Sequence, residues 1–455
     1  MKHHGTTSGL NASSVLVLSF FCLFSLLPSH GFAQAQKRER KVFVLDSLLG
    51  PEIFAEQGKK QIVPQLNEGP FSWVSQEEKE LRGANGPMTF NELPVLEIIF
   101  RFNGETLSEV FLSLYNRGDA GRISDDAFVE FIGKTEKMLD ARSGVAGEDL
   151  GDALKSSSIR GQSKGWLSPT ASYRLDAAYS RVREDGESRR TERPEFVNLT
   201  LLKGGLQKED LLVQRKAETS LVNFNERVKR PVGGDVLIEG IPMVDQGQKG
   251  YCAVATMERI LRYYGSEVNQ HELAQQANSS GQGGTDPESL VKALRGMGNK
   301  LGLKIDERQS FDFKDFLDLV ADYNRAAKRK KENELDLPRS GVIHIGEFYQ
   351  RMNVEVLRDV KLKSSSKVEK FFSNTSETID QGRPLAWSVY LGWVEETPKL
   401  PQDSGGHMRL IIGYNPEKKE IIYSDSWGYG HELKRMSLED AYLITTGLYV
   451  IEPRS

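Results

Sequence analysis

Cys252 is the residue of this 455-residue chain whose chemistry calls most directly for an explanation. A thiolate is a strong nucleophile, and the unpaired N–H groups and positive dipole end of a helix N-terminus favour its negative charge. The segment that follows, AVATMERILRYY at 253–264, has apolar residues at helical spacing and is followed by Gly265, a natural C-terminal cap. The pattern therefore places a possible nucleophile at the start of a helix.

A thiol nucleophile also needs a base and a group that orients the base. His407 directly precedes an apolar run, MRLIIGY at 408–414, and a second strand-like run lies at 420–423. If the two runs pair as an antiparallel hairpin, Asp425 at the end of the second comes beside His407 at the start of the first. A carboxylate there would fix the imidazole tautomer and stabilise the imidazolium, so His407 and Asp425 are the candidate base and orienting residue.

Other histidines lack this context. His431 follows Asp425 in a glycine-rich turn, His344 lies in a strand-like stretch and fits a core or edge position, and His271 fits a structural or exposed helical position. No cysteine or histidine pair has metal-ligand spacing, so we expect no metal and no cofactor.

The order of these residues resembles a known family. The segment Q-G-x-x-G-x-C at 246–252 resembles the nucleophile segment of papain-like cysteine peptidases, and H…GY…DSWG at 407–428 resembles their histidine strand and Asn-Ser-Trp-Gly segment. The resemblance is closest to the bacteriocin-processing (double-glycine leader) peptidases, which carry Asp as the third residue, and covers about 240–453. It implies four catalytic residues, which are Cys252, His407, Asp425 and, as oxyanion donor, Gln246.

The resemblance also implies a fold and an activity. The expected class is α+β, with a papain-like helical lobe that begins at Cys252 and an antiparallel sheet that carries His407 and Asp425. The implied activity is that of a secreted cysteine endopeptidase acting on a peptide or protein substrate. A papain-fold acyltransferase or transglutaminase-like enzyme and a catalytically silent binding module are the alternatives. The sequence departs from papain at Ala253, where papain has tryptophan. We expect no transporter domain of the kind attached to true leader peptidases, so secretion-coupled leader cleavage is not implied.

Residues 1–35 are predicted to be a signal peptide. Their apolar run, VLVLSFFCLFSLL at 15–27, is shorter than the roughly 20 residues that a membrane-spanning helix needs. Small residues favour cleavage after Ala33 or Ala35. We therefore expect an exported protein, periplasmic or extracellular, that is not stably inserted in a membrane; an uncleaved anchor is the alternative.

Cleavage would remove Cys22 and leave Cys252 as the single cysteine, so no internal disulfide could form. Judged by that count alone, a buried structural cysteine is the favoured interpretation of Cys252, since free cysteines are among the most buried residues. The net charge of −4 gives no reason to expect a nucleic-acid partner, and oligomeric state stays open.

The remaining chain divides into three predicted regions. Residues 36–155 form an N-terminal mixed α/β domain of unknown function, 156–232 a linker and strand-containing extension, and 233–455 the peptidase domain. Within the first two regions we expect strands at 42–45, 96–100 and 196–202, helices or helix–strand mixtures at 107–115 and 126–139, and an exposed Ser- and Gly-rich loop at 156–172.

Overall fold

The computed structural model describes residues 15–18, 42–50, 53–54, 58–67, 69–84, 86–151, 159–182, 191–212, 223–247, 250–265, 273, 303–309, 312–338 and 341–454. These ranges combine helices with mostly antiparallel sheets around two large clusters of buried apolar residues, one formed before residue 202 and one after residue 235. No helix within them is both long and apolar enough to cross a membrane. That the two clusters are separate domains stays a prediction.

The first cluster belongs to an eight-stranded antiparallel sheet. The described elements up to residue 212 are, in chain order, β1 (Val15–Leu18), β2 (Phe43–Val44), α1 (Lys59–Leu66), β3 (Phe71–Trp73), β4 (Glu80–Gly83), β5 (Met88–Phe90), β6 (Leu93–Val95), β7 (Glu97–Asn103), β8 (Thr106–Asn116), α2 (Arg117–Ala120), α3 (Asp125–Ser143), β9 (Glu148–Gly151), β10 (Ile159–Trp166), β11 (Ala171–Val182), β12 (Thr191–Lys203) and α4 (Lys208–Leu212). The strand order in the sheet is β3-β4-β7-β8-β12-β11-β10-β9. We call this the N-terminal sheet.

Helix α3 covers one face of the N-terminal sheet, as the pattern at 126–139 predicts. The Ser124 hydroxyl caps its first turn by accepting from the N–H of Ala127, and Gly144 ends it in the left-handed conformation. Phe128 and Leu139 are buried under the helix, and the Trp166 indole donates to Asp140 at 2.7 Å. The helix is thereby fixed to β10.

The helical interpretation of 107–115 is wrong, because these residues form strand β8. It pairs with β7 on one side and β12 on the other, and both of its faces are largely covered. A strand buried on both faces carries a nearly continuous apolar run, and such a run has no alternation to separate it from a helix.

The prediction of a loop at 156–172 is also wrong for much of this range, because residues 159–166 form strand β10. Its small residues permit close packing: a Cβ at Gly165 would lie within 3.2 Å of the side chains of Leu211 and Leu150. Since β10, β11 and β12 share a sheet with β8, the boundary drawn at residue 155 falls inside one sheet.

The second cluster surrounds a mixed helical and antiparallel part that we call the C-terminal part. After a 3-10 turn (Phe224–Arg227), its elements are β13 (Val228–Lys229), β14 (Val236–Ile238), α5 (Cys252–Tyr263), β15 (Leu303–Gln309), α6 (Phe313–Lys330), β16 (Gly341–His344), α7 (Ile345–Arg351), α8 (Val354–Lys361), α9 (Ser365–Asp380), β17 (Leu385–Leu391), β18 (Gly405–Asn415), β19 (Glu420–Ser424), β20 (Lys434–Ser437), α10 (Leu438–Ile444) and β21 (Thr445–Pro453). Strand β1 pairs in parallel with β16, apart from the larger sheets.

The sheet of the C-terminal part has the order β13-β14-β18-β17-β21-β15, and β19 joins β18 to β20. The predicted hairpin is present as β18 and β19, with Leu410 opposite Ser424 and Tyr414 opposite Ile421. Helix α5 packs on β18. This packing brings the start of α5, the start of β18 and the end of β19 into one place.

Candidate active site

Cys252 is the first residue of α5, as its sequence context predicts. The helix is buried on all sides except at Arg262, and Cys252 itself is only 3% exposed. The Thr256 hydroxyl donates to the carbonyl oxygen of Met408 at 3.1 Å, which ties α5 to β18 one residue beyond His407. The N–H groups of the first turn have no partner within the helix, so the thiol lies at the positive end of the helix dipole.

His407 and Asp425 meet in the manner that the hairpin predicts. His407 Nε2 lies 3.0 Å from Asp425 Oδ1, and neither side chain has any exposed surface. The indole of Trp427 stacks on the imidazole, with ring centroids 4.1 Å apart and planes within 2° of parallel. The indole therefore keeps water from the hydrogen bond between the two residues.

The imidazole lies between two groups that can carry negative charge. Burial alone would lower the pKa of His407, but hydrogen bonds to Asp425 and Cys252, together with their charges, outweigh burial and raise this pKa above its ordinary value. Since Nε2 serves Asp425, Nδ1 is the ring nitrogen left for the thiol, and it makes no hydrogen bond to any other described group. The geometry thus favours an imidazolium paired with a thiolate.

Gln246 is held from both ends by the segment that carries Asp425. Its backbone N–H donates to the carbonyl oxygen of Ser426 at 2.8 Å, and the Ser426 hydroxyl donates to its side-chain Oε1 at 2.6 Å. The carbonyl end of the Gln246 amide therefore accepts from Ser426, and the donor hydrogens of this amide are those of its NH₂ end. Sequence reasoning named Gln246 but not the role of Ser426.

A buried charge cluster behind Asp425 was not found from the sequence. Arg409 Nε lies 2.9 Å from Asp425 and Lys434 Nζ lies 3.5 Å from it, while both cations also pair with Glu396. Burial would raise the pKa of Asp425, but Arg409 and His407 outweigh it and hold this pKa well below its usual range. The sequence offered one indication of this cluster: Arg409 follows His407 by two residues, which places both side chains on the same face of a strand.

Arg259 is a second residue that sequence reasoning missed. It follows Cys252 by two helical turns and is 2% exposed. Its guanidinium donates to the carbonyl oxygens of Pro242 and Asp425, each at 2.8 Å, and to the Ser424 hydroxyl at 2.6 Å. Burial lowers the pKa of Arg259 to about 10. The residue thereby joins the helix of the thiol to the strand end of the carboxylate.

The other histidines lie elsewhere. His431 contacts the edge of Trp427 and accepts a hydrogen bond from the backbone of Asp425 through its own carbonyl oxygen, and burial lowers its pKa. His344 is exposed at the end of β16, and His271 lies outside the described residues. Within the described ranges, no three His, Cys, Asp or Glu side chains converge as metal ligands.

A thiol at a helix start, an imidazole and a carboxylate in this order are the parts of a cysteine peptidase site, and comparison with known families identifies the chain as a cysteine peptidase. Residues 240–326 match the model of the Peptidase C39 family, and residues 338–450 match that of the Peptidase C39 like family. These matches confirm the resemblance drawn from the motifs of the C-terminal part.

Two solved structures are among those similar to this chain, each at 15% identity. One is the peptidase domain of Streptococcus ComA, a bi-functional ABC transporter involved in a quorum-sensing pathway, which aligns over 47% of this chain and 99% of its own, with a TM-score of 0.24. The other is xylellain, a cysteine protease from Xylella fastidiosa, which aligns over 52% of this chain and 91% of its own, with a TM-score of 0.25. At these scores neither likeness carries an argument. No curated protein matches the chain.

Proposed function

We propose that the protein is an exported cysteine endopeptidase that cleaves peptide bonds with Cys252 as nucleophile, His407 as acid and base, Asp425 as orienting residue and Gln246 as oxyanion donor. The observation that carries this proposal is the buried contact of His407 with Asp425 on one side and Cys252 on the other. A histidine that served packing alone would not need an ionisable partner at each nitrogen.

Acylation begins when the Cys252 thiolate attacks a peptide carbonyl carbon and forms a C–S bond. The carbonyl electrons move to the oxygen, where the Gln246 amide and the backbone N–H of Cys252 donate to the oxyanion. As the carbonyl re-forms, the C–N bond breaks and the His407 imidazolium gives its proton to the leaving amine. The products of this step are a free amine and a thioester.

Deacylation restores the starting charges. Neutral His407 takes a proton from water while the water oxygen attacks the thioester carbon. The C–S bond then breaks, which releases a carboxylic acid and returns the Cys252 thiolate beside the His407 imidazolium. No step needs a metal or a redox partner.

A digest of a peptide library in water enriched in ¹⁸O tests the proposal directly. Hydrolysis predicts new peptide ends that carry one ¹⁸O atom, loss of all cleavage in Cys252→Ala, and little loss in Arg325→Met, a substitution of an exposed arginine. If the products instead join to an added amine without ¹⁸O, the enzyme is an acyltransferase. If the folded wild-type protein turns over no peptide, the catalytic proposal fails.

Export is the second part of the proposal, and the residues at 15–27 with the small residues near Ala33 and Ala35 support it. Export would place the enzyme in the periplasm or outside the cell. In the chain before processing, Val15–Leu18 lies as β1 beside β16. Processing would therefore free the edge of β16 that β1 occupies.

A further inference from the structure

Arg82 of strand β4 lies at the boundary between the N-terminal sheet and the C-terminal part. Its side chain is 5% exposed and forms ion pairs with Glu97 of β7 and with Asp245, which it reaches at 3.1 Å. Asp245 directly precedes Gln246 in the chain. An arginine of the N-terminal sheet thus holds the residue next to the proposed oxyanion donor.

The contact of Arg82 extends to the backbone of the loop that leads to Cys252. The second carboxylate oxygen of Asp245 accepts from the N–H of Gly247 at 2.8 Å, and Gly247 has a positive φ of 65°. A Cβ on Gly247 would lie only 3.0 Å from Nη2 of Arg82, so the guanidinium lies directly against this turn. Glycine is therefore required at 247 both for its φ and for the approach of Arg82.

Tyr251, which immediately precedes Cys252, makes a second contact with the N-terminal region. It is 1% exposed, and a Cβ on Gly118 of α2 would lie 2.3 Å from its hydroxyl oxygen. The two ends of the 246–252 segment are thus both held by residues of the N-terminal region. One contact comes from Arg82 of β4 and the other from Gly118 of α2, the helix that follows β8.

The charged side chains around Arg82 enclose little free space. A cavity there, lined by Arg82, Glu97, Asp245, Glu80 and Arg262 among others, has a volume of only about 20 Å³. Such a volume has room for about one water molecule. The charged side chains at this boundary therefore hold the two parts in contact, and this contact positions the neighbouring loop.

We propose that the N-terminal sheet is a working part of the active site, in which Arg82 is a positioning residue that holds Gln246 in place for the oxyanion. This inference rests on the proposed function, and it extends it to a region that lies before residue 240, where the family matches begin. Arg82 acts through Asp245 and Gly247. It touches no reacting atom.

The variants Arg82→Gln, Gly118→Ala and Gln246→Ala test this proposal in the full-length protein. The first two should lower kcat/KM for peptide cleavage roughly tenfold or more, as expected when an oxyanion donor is misplaced. They should also weaken binding of a peptide aldehyde, whose oxygen takes the oxyanion position after the thiolate adds to its carbon. Alkylation of Cys252 by iodoacetamide, which forms no oxyanion, should keep the wild-type rate.

A control is Glu136→Gln, which removes a partly buried carboxylate that pairs with Lys164 within the N-terminal region and lies outside the boundary contacts of Arg82. It should leave kcat/KM and aldehyde affinity within about twofold of wild type, since additivity between separate sites is the rule. In the Gln246→Ala background, Arg82→Gln should cause no further loss, because both act on one interaction.

The proposal is overturned if Arg82→Gln and Gly118→Ala bind the aldehyde as tightly as wild type, or if the two losses at Arg82 and Gln246 simply add. If Arg82→Gln does not fold, Gly118→Ala decides, because it keeps every buried charge. Absence of peptide turnover in the wild type would refute the proposed function alone, since aldehyde affinity would still report on the loop.

Discussion

At the scale of single residues, the site depends on the charge state of one imidazole. Asp425 stays ionised although it is fully buried, because Arg409 and His407 offset the cost of burial. Its charge in turn favours the protonated form of His407, whose pKa is raised. The thiolate and imidazolium should therefore coexist to a pH above the ordinary imidazole pKa of about 6.5.

Asp425→Asn should move the alkaline limb of the kcat/KM profile to lower pH. The variant removes the charge that favours imidazolium, so the pKa of His407 falls and the proton needed by the leaving amine is lost earlier as pH rises. We expect kcat/KM at neutral pH to fall about 10²-fold or more, by analogy with the loss of an orienting carboxylate. Measurement of kcat/KM from pH 4 to 10 checks this.

Asp380→Asn is the control, because this carboxylate is 41% exposed and bonds Tyr414, which lies at the end of β18 opposite His407. It should leave both limbs of the profile in place. An unchanged alkaline limb in Asp425→Asn would contradict the role that we give to the carboxylate.

The residues that could be predicted from the sequence are those whose neighbours along the chain carry the signal. Cys252 precedes a helical pattern, and His407 and Asp425 occupy opposite ends of one hairpin. Arg259 and Ser426 could not be assigned a role, because their partners lie about 160 to 180 residues away. Their roles follow from the packing of α5 on β18.

At the scale of elements, the site exists because one helix and one hairpin are held in fixed relation. Thr256 bonds α5 to β18, and Arg259 bonds it to the end of β19. The hairpin was predictable, because a clear turn separates its two apolar strands. Strands β8 and β10 were not, because β8 is buried on both faces and β10 is rich in small residues.

Arg259→Met should destabilise the protein by about 2–4 kcal/mol, because it leaves buried carbonyl and hydroxyl oxygens without their donor. It should also slow peptide cleavage, since the position of Asp425 relative to Cys252 is no longer fixed. Arg325→Met, on the exposed face of α6, should change stability by less than about 0.5 kcal/mol. Denaturant unfolding of both variants measures the difference, and equal stabilities would refute the role of Arg259.

At the scale of the whole molecule, buried ion pairs connect the N-terminal sheet to the C-terminal part. Glu80 of β4 pairs with Arg262 of α5 and lies 3.4 Å from Arg101 of β7. Burial would raise the pKa of Glu80, but the two arginines outweigh it and lower this pKa. The pairs therefore stabilise the native state above the usual carboxylate pKa and weaken as pH falls.

Glu80→Lys should separate the unfolding of the two parts. The substitution replaces the anion that lies between Arg262 and Arg101 with a third cation, which should cost about 3–5 kcal/mol. Calorimetry should then show a lower first transition or two transitions in place of one. Glu105→Lys, at a carboxylate that is 66% exposed, is the control and should unfold as wild type. Identical traces for the two variants would contradict the coupling.

A further prediction at the scale of the whole molecule concerns cleavage of the signal peptide. If residues 1–35 are a signal peptide, protein recovered from the periplasm or medium should begin at Gln34 or Gln36. N-terminal sequencing after cell fractionation checks this. A chain that begins at Met1 and stays with the membrane fraction would favour the uncleaved anchor.

The most direct test of the account is the rate at which iodoacetamide alkylates Cys252 as a function of pH. We predict a rate near neutral pH well above that of a free thiol, maintained below the ordinary thiol pKa of about 8.5, and a strong loss of this advantage in His407→Ala. A rate equal to that of a free thiol, unchanged by His407→Ala, would show that Cys252 is a structural cysteine and would contradict the catalytic assignment.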